Sequence, residues 1–443
     1  MLRSFVSAVQ MQFLLWFAEV YVFVQSTWNG FKARSHPDRL HHQAPYAGQP
    51  ILLVALYEKG VLRPDVHRMI ATAKEQGAYV LAVNNLTLTE PADWRALLDC
   101  YIERYNYGRD FGSYQTAFLH LYAQGWEATC PRLLMLNDSV YYCGRRTPPF
   151  LADLFGSPKE ALGATENFEF EHHLGSFCIA MAGSVLRHPR TKLYWQRYKK
   201  SDIRPKVIHR GEMQLSKTLK RAVSSEDQFA SLYGVARYDE KVRTDPEYRA
   251  RALYHSRQSD RVPWPTLKAK EVLREFRVRH FVGATFGRDE FRRYFDEKRL
   301  SVGEYVKLTR RDQPSLAAPE GIAPDVPLLD YKDLTEAATA NLPDDRDQAV
   351  AMLDEMTADL LTANFVRGGH IHQNAAALVD LGLAIVKLDG MYRGVFDATD
   401  VRKICALLEP EDGAALSAIL LSRPWGEHTT RGWRKAAFLL GLH

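Results

Sequence analysis

The sequence predicts an α/β fold with a parallel sheet, preceded by an N-terminal amphipathic helix and followed by an all-α C-terminal module. Continuous apolar runs of strand length at 51–57, 78–83 and 132–137 alternate with helical segments of ten or more residues. This alternation requires crossover connections, which leave neighbouring strands parallel. From residue 344 onward the apolar pattern is helical, and helices are expected near 345–364, 371–388, 399–408 and 411–421.

The composition is that of an ordinary globular chain. Its 443 residues, enough for two or three domains, are 46% hydrophobic and 25% charged. The net charge of +5 suits an anionic ligand or an anionic membrane face, and no lysine- or arginine-rich run indicates a nucleic-acid partner. Five scattered cysteines without a C-x-x-C pair indicate reduced thiols in the cytoplasm rather than disulfides or a cysteine-based zinc site.

The first predicted element is an apolar helix over residues 5–24, with a narrow polar stripe of Gln12, Glu19 and Ser26. We expect it either to pack on the protein or a twin subunit, or to lie in a membrane interface. Spanning the bilayer ranks third, because Glu19 would sit at membrane depth. Lys32 and Arg34 favour anionic headgroups, so residues 1–30 are expected to contact a membrane surface or a partner protein.

The chain divides into four parts where its composition changes. Residues 1–48 contain the apolar helix and a linker. Residues 49–280 contain the sheet domain, in which one helix is expected to begin at Pro64 and another at Ser113. Residues 281–330 form a connector with several prolines after residue 313, and residues 331–443 form the helical module.

A polar turn bounded by glycines lies at 106–112. Gly108 and Gly112 permit tight turns and a close approach of the backbone to a ligand. The N–H groups at the start of the helix at Ser113 suit a phosphate, since a helix N-terminus attracts anions. Arg109 suits a diphosphate, and Asp110 suits a base or sugar hydroxyl. The alternative is that Arg109 and Asp110 pair with each other and cap the helix.

A second polar cluster, Asn137, Asp138 and Ser139, follows the apolar run at 132–137. Ligands of α/β sheets bind at the carboxyl ends of the strands, so both clusters are expected at one cleft. Asp138 is suited to a Mg²⁺ or Mn²⁺ ion that bridges two phosphates. A strand-end Asx turn is the alternative.

Glu212 is the third candidate, because it precedes an apolar helix and lies near His209 and Arg210. A carboxylate there is suited to act as a general base that deprotonates a hydroxyl nucleophile. The alternative is a helix N-terminal glutamate favoured by the helix dipole. The polar group around His173 is expected to contact an acceptor, to bind a metal or to form a solvated loop.

Four short blocks resemble, in this order, the rhamnan synthesis protein F family of bacterial glycosyltransferases. They read N-Y-G-R-D-F-G-S-Y from Asn106, L-L-M-L-N-D-S-V from Leu133, H-H-L-G-S-F from His172 and V-I-H-R-G-E-M-Q-L-S from Val207. The third block departs from the family, where it reads more like H-L-Q-S-Y. The resemblance covers about residues 50–280 and leaves out both the N-terminal helix and the C-terminal module.

The resemblance implies a GT-A-like, Rossmann-type domain that binds a nucleotide-diphosphate sugar. The Asp-x-Asp element of such enzymes would fall on the Asn137 cluster, and their general base on Glu212. His173 and Ser176 would lie on the acceptor side. With one acid at the Asp-x-Asp position, Mg²⁺ or Mn²⁺ at Asp138 is left open, and Arg109 is the alternative counter-charge. The donor-binding residues implied are Asn106, Gly108, Arg109, Asp110, Ser113, Asn137, Asp138 and Ser139.

The expected activity is transfer of a sugar, such as rhamnose or another deoxyhexose, from a nucleotide-diphosphate donor to a growing surface polysaccharide of the bacterial cell envelope. Inversion at the anomeric carbon is expected, with a glycan or lipid-linked glycan as acceptor. The protein is expected in the cytoplasm, peripheral to the inner membrane. One alternative is a non-catalytic scaffold subunit that keeps the fold. Another, a phosphate-handling enzyme, is weaker because no G-x-G-x-x-G loop is present.

Overall fold

The computed structural model describes residues 2–89, 94–168, 170–256, 267, 271–276, 279, 331–339, 346–367, 370–391 and 396–422. The chain forms two compact units, one of residues 1–234 with 368–443 and the other of residues 235–367. These units differ from the predicted domains, because the end of the expected C-terminal module groups with the sheet. All candidate site residues belong to the first unit.

A mixed eight-stranded sheet is the centre of the first unit, with strand order β1-β4-β3-β2-β5-β10-β7-β11. Its strands are β1 (Arg39–Gln43), β2 (Ile51–Leu56), β3 (Tyr79–Asn84), β4 (Cys100–Glu103), β5 (Arg132–Asn137), β7 (Ala161–Gly163), β10 (Cys178–Ala182) and β11 (Phe229–Ser231). Two smaller ladders pair β6 (Val140–Tyr142) with β12 (Ile385–Lys387) and β8 (Glu166–Asn167) with β9 (His173–Leu174).

The parallel half of the sheet confirms the apolar strands expected from the sequence. β2 pairs in parallel with β3 and β5, and every residue of these three strands is buried. The rest of the sheet is mixed: β10 runs antiparallel to both β5 and β7 and β1 antiparallel to β4, whereas β4 runs parallel to β3 and β11 parallel to β7. Antiparallel strands need no crossover helix, which fits the short segments that follow residue 156.

The first unit contains helices both before and after the strands of its sheet in the chain. They are α1 (Leu2–Arg34), α2 (Pro64–Glu75), α3 (Arg109–Ala123), α4 (Thr147–Gly156), α5 (Gly183–Arg187), α6 (Pro189–Arg197), α7 (Arg204–Val207), α8 (Gln214–Lys220), α13 (His370–Gln373), α14 (Ala375–Asp380), α15 (Ala398–Ala406) and α16 (Pro410–Leu421). A π-helical turn, Ile208–Met213, joins α7 to α8. Phe111, Tyr114 and Phe118 of α3 pack with Leu53 of β2 in the main core.

The second unit is helical where it is described. It contains α9 (Val235–Thr244), α10 (Pro246–His255), α11 (Tyr331–Thr339) and α12 (Arg346–Val366). Tyr238 stacks on Phe365 with ring centroids 4.1 Å apart, and Arg249 pairs with Asp354 at 2.6 Å. These contacts tie α9 and α10 to α12. The connector expected at 281–330 lies outside the described residues.

The prediction of one helix over 371–388 is wrong. The helix α14 ends at Asp380, Gly382 adopts a left-handed φ of 105°, and β12 follows. The β-branched pair Ile385 and Val386 favours a strand, and the antiparallel partner is β6 of the sheet unit. The C-terminal region is therefore helical but not all-α, and it brings Lys387 to the carboxyl end of β5.

The N-terminal helix is confirmed and extends to Arg34. One side faces the protein: Ala18 and Val22 are buried and pack with Ile203. Asn29 donates to Asp202 Oδ2 at 3.0 Å, and Ser26 Oγ accepts from the Asp202 N–H at 3.1 Å. The prediction that this helix packs on the protein holds for that side. Of the helices in the described part of the chain, none has the length and apolarity needed to cross a membrane.

Candidate active site

The first turn of α3 is strained and held by Asp202. Gly108 and Arg109 both have positive φ, 91° and 52°, and a side chain at the second position rarely adopts that conformation. The Gly108 N–H donates to Asp202 Oδ1 at 2.7 Å, and Arg109 Nε donates to the Asp202 carbonyl oxygen at 2.9 Å. Strained residues held by several contacts are frequent at functional sites.

Two expectations about this turn need correction. The helix begins at Arg109, four residues earlier than predicted, so Ser113 lies inside it and is fully buried. The Ser113 hydroxyl donates to Asn85 Oδ1 at 3.2 Å rather than facing a ligand. At Gly108, where the backbone was expected to approach a ligand closely, the N–H group donates to the carboxylate of Asp202 instead. Asn106 is exposed.

A chain of hydrogen bonds joins α3, the end of β5 and the end of β12. Lys387 Nζ donates to Ser139 Oγ at 2.5 Å, and that hydroxyl donates to Asn137 Oδ1 at 2.6 Å. Asn137 Nδ2 in turn donates to Asp110 Oδ2 at 2.8 Å. The four residues Asp110, Asn137, Ser139 and Lys387 are called the donor wall below, after the role that the resemblance implies for the first three. Burial raises the pKa of Asp110, while the positive charges of Lys387 and then Arg109 oppose that rise.

Asp138 does not belong to the donor wall. Its carboxylate accepts from the backbone N–H of Tyr57 at the end of β2, and the residue is 9% exposed. Burial raises its pKa to about 7, and the hydrogen bond from Tyr57 opposes the rise. Arg63 holds the same turn, because it donates to the carbonyl oxygens of Asp138 at 3.1 Å and Val140 at 2.6 Å. The expected Asx turn is made by Asn137, whose Oδ1 also accepts from the Ser139 N–H.

The donor set does not fit a divalent metal at Asp138. The side chains of Asn137 and Ser139 are neutral and bonded to each other, and the carboxylate of Asp138 is bonded to the backbone of Tyr57. A lysine ammonium stands beside Ser139, and a cation there repels a second cation. Over the described ranges, no group of three His, Cys, Asp or Glu side chains is arranged to hold a metal ion.

Glu212 lies inside a helix and not before one. Arg204 and Pro205 start α7 earlier than expected, and the π-helical turn then carries Glu212 at its fifth position. Such turns are frequent at functional sites. Gly211 lets the turn approach α3, since a Cβ atom there would lie 2.6 Å from the Phe111 ring. The helix N-terminal alternative for Glu212 is therefore wrong.

Two residues, Ser176 and His173, lie next to the carboxylate of Glu212. Together with Glu212 they are called the base wall below, after the role that the resemblance implies for Glu212. Ser176 Oγ donates to Glu212 Oε1 at 2.9 Å, and His173 Nε2 lies 3.8 Å from Glu212 Oε2. The Glu171 carbonyl accepts from His173 Nδ1 at 2.7 Å, so the ring proton is on Nδ1 in the neutral form. The Glu212 side chain is 32% exposed and reachable from solvent.

Both walls lie near the carboxyl end of β5, because Cys178, two residues after Ser176, pairs with Leu136, the residue before Asn137. The negative charge of Glu212 is one of the charges that raise the pKa of Asp110, so the two carboxylates are close enough to interact. Lys387 connects the walls: its Nζ lies 5.2 Å from the ring of Phe177, the neighbour of Ser176. The structure thus gathers six predicted residues, Asp110, Asn137, Ser139, His173, Ser176 and Glu212, and adds Lys387.

Comparisons with known proteins leave the family open. No described protein family matches the chain. An uncharacterized protein, y4gN of Sinorhizobium fredii (strain NBRC 101917 / NGR234), is 25% identical over 179 residues. The match covers 39% of this chain and 46% of the relative, so the chain spans about half the length of that protein. The similarity is too low and too partial to define a family.

Proposed function

We propose that the protein is a GT-A-like, inverting glycosyltransferase, similar to the rhamnan synthesis protein F family. The observation that carries the proposal is the position of Glu212. Its partly exposed carboxylate is oriented by Ser176 and interacts electrostatically with Asp110 of the donor wall, which carries the lysine cation. A general base opposite a diphosphate site is the arrangement that sugar transfer from a nucleotide-diphosphate donor requires.

In the proposed reaction, an acceptor hydroxyl attacks the anomeric carbon of the donor sugar. Its proton passes to the carboxylate of Glu212 as the new carbon–oxygen bond forms. The bond from the anomeric carbon to the diphosphate breaks, and its electron pair leaves on the diphosphate oxygen. Attack opposite the leaving group inverts the anomeric centre. The sugar is proposed to be a deoxyhexose such as rhamnose, and the product a bacterial surface polysaccharide.

Lys387 is proposed as the counter-charge for the leaving diphosphate. Its ammonium is aligned by Ser139 and by the Phe177 ring, and a pre-aligned cation stabilises the charge that develops on the leaving group. Arg109, the counter-charge expected from the sequence, is bonded to the Asp202 carbonyl and is the less available cation. Sugar transfer is therefore proposed to run without a metal at Asp138.

Glu212→Gln tests the base. The amide keeps the size and the contact to Ser176 but cannot take a proton, so the transfer rate is expected to fall by about a hundredfold or more. Binding of the nucleotide diphosphate is expected to persist, because the donor wall is unchanged. Glu226→Gln, an exposed acid of the same unit, is the matched control. A Glu212→Gln protein with near wild-type turnover would exclude Glu212 as the base.

The exposed side of α1 is proposed to lie on an anionic membrane surface in the cytoplasm. Phe13, Trp16, Val20, Val24 and Phe31 recur at intervals of three, four or seven residues and are each at least 45% exposed. Aromatic side chains of this kind favour the boundary between water and lipid. Lys32 lies over the Trp28 ring and Lys206 over the Phe23 ring, which places positive charge beside the apolar stripe.

Vesicle binding tests the membrane proposal. Phe13→Ser with Phe31→Ser is expected to reduce sedimentation with vesicles that contain anionic lipid. Leu40→Ser with Leu119→Ser, exposed apolar residues outside α1, is the matched control. Equal sedimentation of both variants would contradict a membrane contact through α1, and a dimer dispersed only by the α1 variant would assign the stripe to a second copy of the chain.

The second candidate function is a scaffold subunit without catalysis. It is favoured by the neutral side chains of Asn137 and Ser139, which stand where the resemblance places acids. Titration with nucleotide diphosphates, with and without Mn²⁺, separates the two functions. Binding of at least one nucleotide supports the enzyme, while the absence of binding to all of them supports the scaffold.

A further inference from the structure

A second candidate site borders the turn that carries Glu212. It is a pocket with a cavity volume of about 510 Å³ between α6, the segment that follows it and the turn. It is called the basic pocket below, and the lining residues used here are Arg197, Lys199, Arg210, Arg221, Tyr194 and Tyr198. Its position next to the proposed base raises the question of what it binds.

The charge of the basic pocket is of one sign. Five Arg or Lys side chains line it, counting Arg190, together with His209, and no Asp or Glu does. Arg197, Lys199, Arg210 and Arg221 are exposed, and among the described residues none of them pairs with a carboxylate. Like charges repel when they are held together, and a bound anion removes that repulsion. Arginine side chains in particular form paired hydrogen bonds with phosphate oxygens.

The pocket also has apolar and aromatic surface. Tyr194 is mostly buried and Tyr198 is buried, while Leu193 is 42% exposed at the rim. These side chains suit the organic part of a phosphate ester rather than an inorganic ion alone. A phosphate with an attached sugar or prenyl chain would contact both kinds of surface.

A direct contact links the pocket to the π-helical turn that carries Glu212. The Tyr194 hydroxyl donates to the carbonyl oxygens of Arg210 at 3.0 Å and Gly211 at 3.2 Å. Glu212 is the next residue of the turn, and His209, Arg210 and Gln214 of the same segment line the pocket. The pocket and the proposed base therefore belong to one continuous segment of the chain, which is the basis for assigning the pocket to the acceptor.

We propose that the basic pocket binds the phosphate or diphosphate of the sugar acceptor. The anion site rests on the pocket itself, and its assignment to the acceptor rests on the proposed glycosyltransferase function. Two sources share this chemistry, a lipid-linked diphosphate and a soluble phosphorylated glycan. The donor diphosphate belongs to the donor wall and not to this pocket.

Calorimetric titration of the full chain with farnesyl diphosphate and with glucose 1-phosphate tests the proposal. Arg197→Gln with Arg221→Gln is expected to weaken binding about tenfold or more, because two charge-assisted hydrogen bonds are lost. Arg145→Gln with Arg402→Gln, which removes the same charge elsewhere on the unit, is expected to change binding little. Both pairs are exposed, so folding is checked by the melting temperature.

The outcomes distinguish a lipid-linked acceptor from a soluble one, and they test the anion site separately from the base. Tighter binding of farnesyl diphosphate assigns the pocket to a lipid-linked acceptor, and comparable binding of glucose 1-phosphate assigns it to a soluble phosphorylated glycan. Equal losses in the two variants, or no binding of either probe, overturn the proposal. An active Glu212→Gln protein that still loses probe affinity through Arg197 and Arg221 would refute the base and leave the anion site standing.

Discussion

The donor wall and the base wall hold their carboxylates in opposite ways. Asp110 of the donor wall is mostly buried and accepts a hydrogen bond from Asn137. Asp138, the residue after Asn137, is turned towards the backbone of Tyr57. Glu212 of the base wall is 32% exposed and held by a single serine hydroxyl. A buried carboxylate with fixed partners organises a site, whereas an exposed one can exchange a proton with a ligand.

The comparison shows that acidity alone does not mark the reacting group. The sequence offers three acids with different expected roles: Asp110 for the base or sugar of the donor, Asp138 for a metal and Glu212 as the general base. Their environments separate them, since burial raises the pKa of both aspartates and positive side chains oppose the effect for each. On this basis, substitutions in the donor region are expected to change stability and nucleotide affinity, and substitutions in the base wall to change turnover.

The largest expected effect is on the pH dependence of stability through Asp138. Burial raises its pKa from the usual 3.8 of an aspartate to about 7, so the folded state keeps a proton that the unfolded state releases. Stability from this group is complete below pH 4 and is lost as pH rises to 7, by about 4 kcal/mol. Asp138→Asn, which still accepts from Tyr57, is expected to lack this loss in urea unfolding.

Asp227→Asn provides the control for that experiment. Asp227 is exposed, so its substitution is expected to follow the wild-type pH dependence. Parallel unfolding midpoints of Asp138→Asn and the wild type between pH 5 and 8 would contradict the burial of an Asp138 proton. They would also reopen Asp138 as an ionised ligand-binding group and so weaken the contrast between the two walls.

The parallel half of the sheet was predictable and much of the site was not. The strands predicted at 51–57 and 132–137 are long apolar runs, and the bounds of β2 and β5 agree with them to within one residue. The orientation of Asp138 was also available from the sequence, because successive side chains near a strand point to opposite faces. Asn137 and Ser139 therefore share a side from which Asp138 is turned away.

Lys387 and Asp202 were missed for a different reason. Each reaches the site from a segment distant in the chain, and the apolar residues before Lys387 also fit the helical period. A usable signal was present in the run 383–388, which contains Ile385 and Val386 and is bounded by Gly382 and Gly390. The pairing of that strand with β6 depends on tertiary contacts that local pattern does not encode.

Lys387→Met gives the next largest effect, on the donor wall. Loss of the ammonium is expected to weaken nucleotide diphosphate binding about ten- to a hundredfold, because a charge-assisted contact to phosphate disappears. Binding is measured calorimetrically in the presence of a chelator. Lys332→Met, whose side chain is 82% exposed, is the matched control.

A double substitution separates binding from folding at this position. Lys387→Met alone leaves Asp110 without its main positive neighbour, so some loss of stability is expected. Adding Asp110→Asn removes the unpaired charge and is expected to restore the melting temperature while nucleotide affinity stays low. Affinity that returns together with stability would show that Lys387 supports the fold and does not bind the diphosphate.

The smallest expected effect is at Ser176, where the base wall is tested by one hydrogen bond. Ser176→Ala removes the donor to Glu212 Oε1, and a single such bond contributes about 1 kcal/mol, or roughly fivefold in rate. We expect kcat to fall by this factor with KM for the donor unchanged, since Ser176 orients Glu212 and does not contact the diphosphate. Ser176→Thr keeps the hydroxyl and is expected to restore kcat. A rise in donor KM with unchanged kcat would instead place Ser176 in the donor site and would end the division of labour between the two walls.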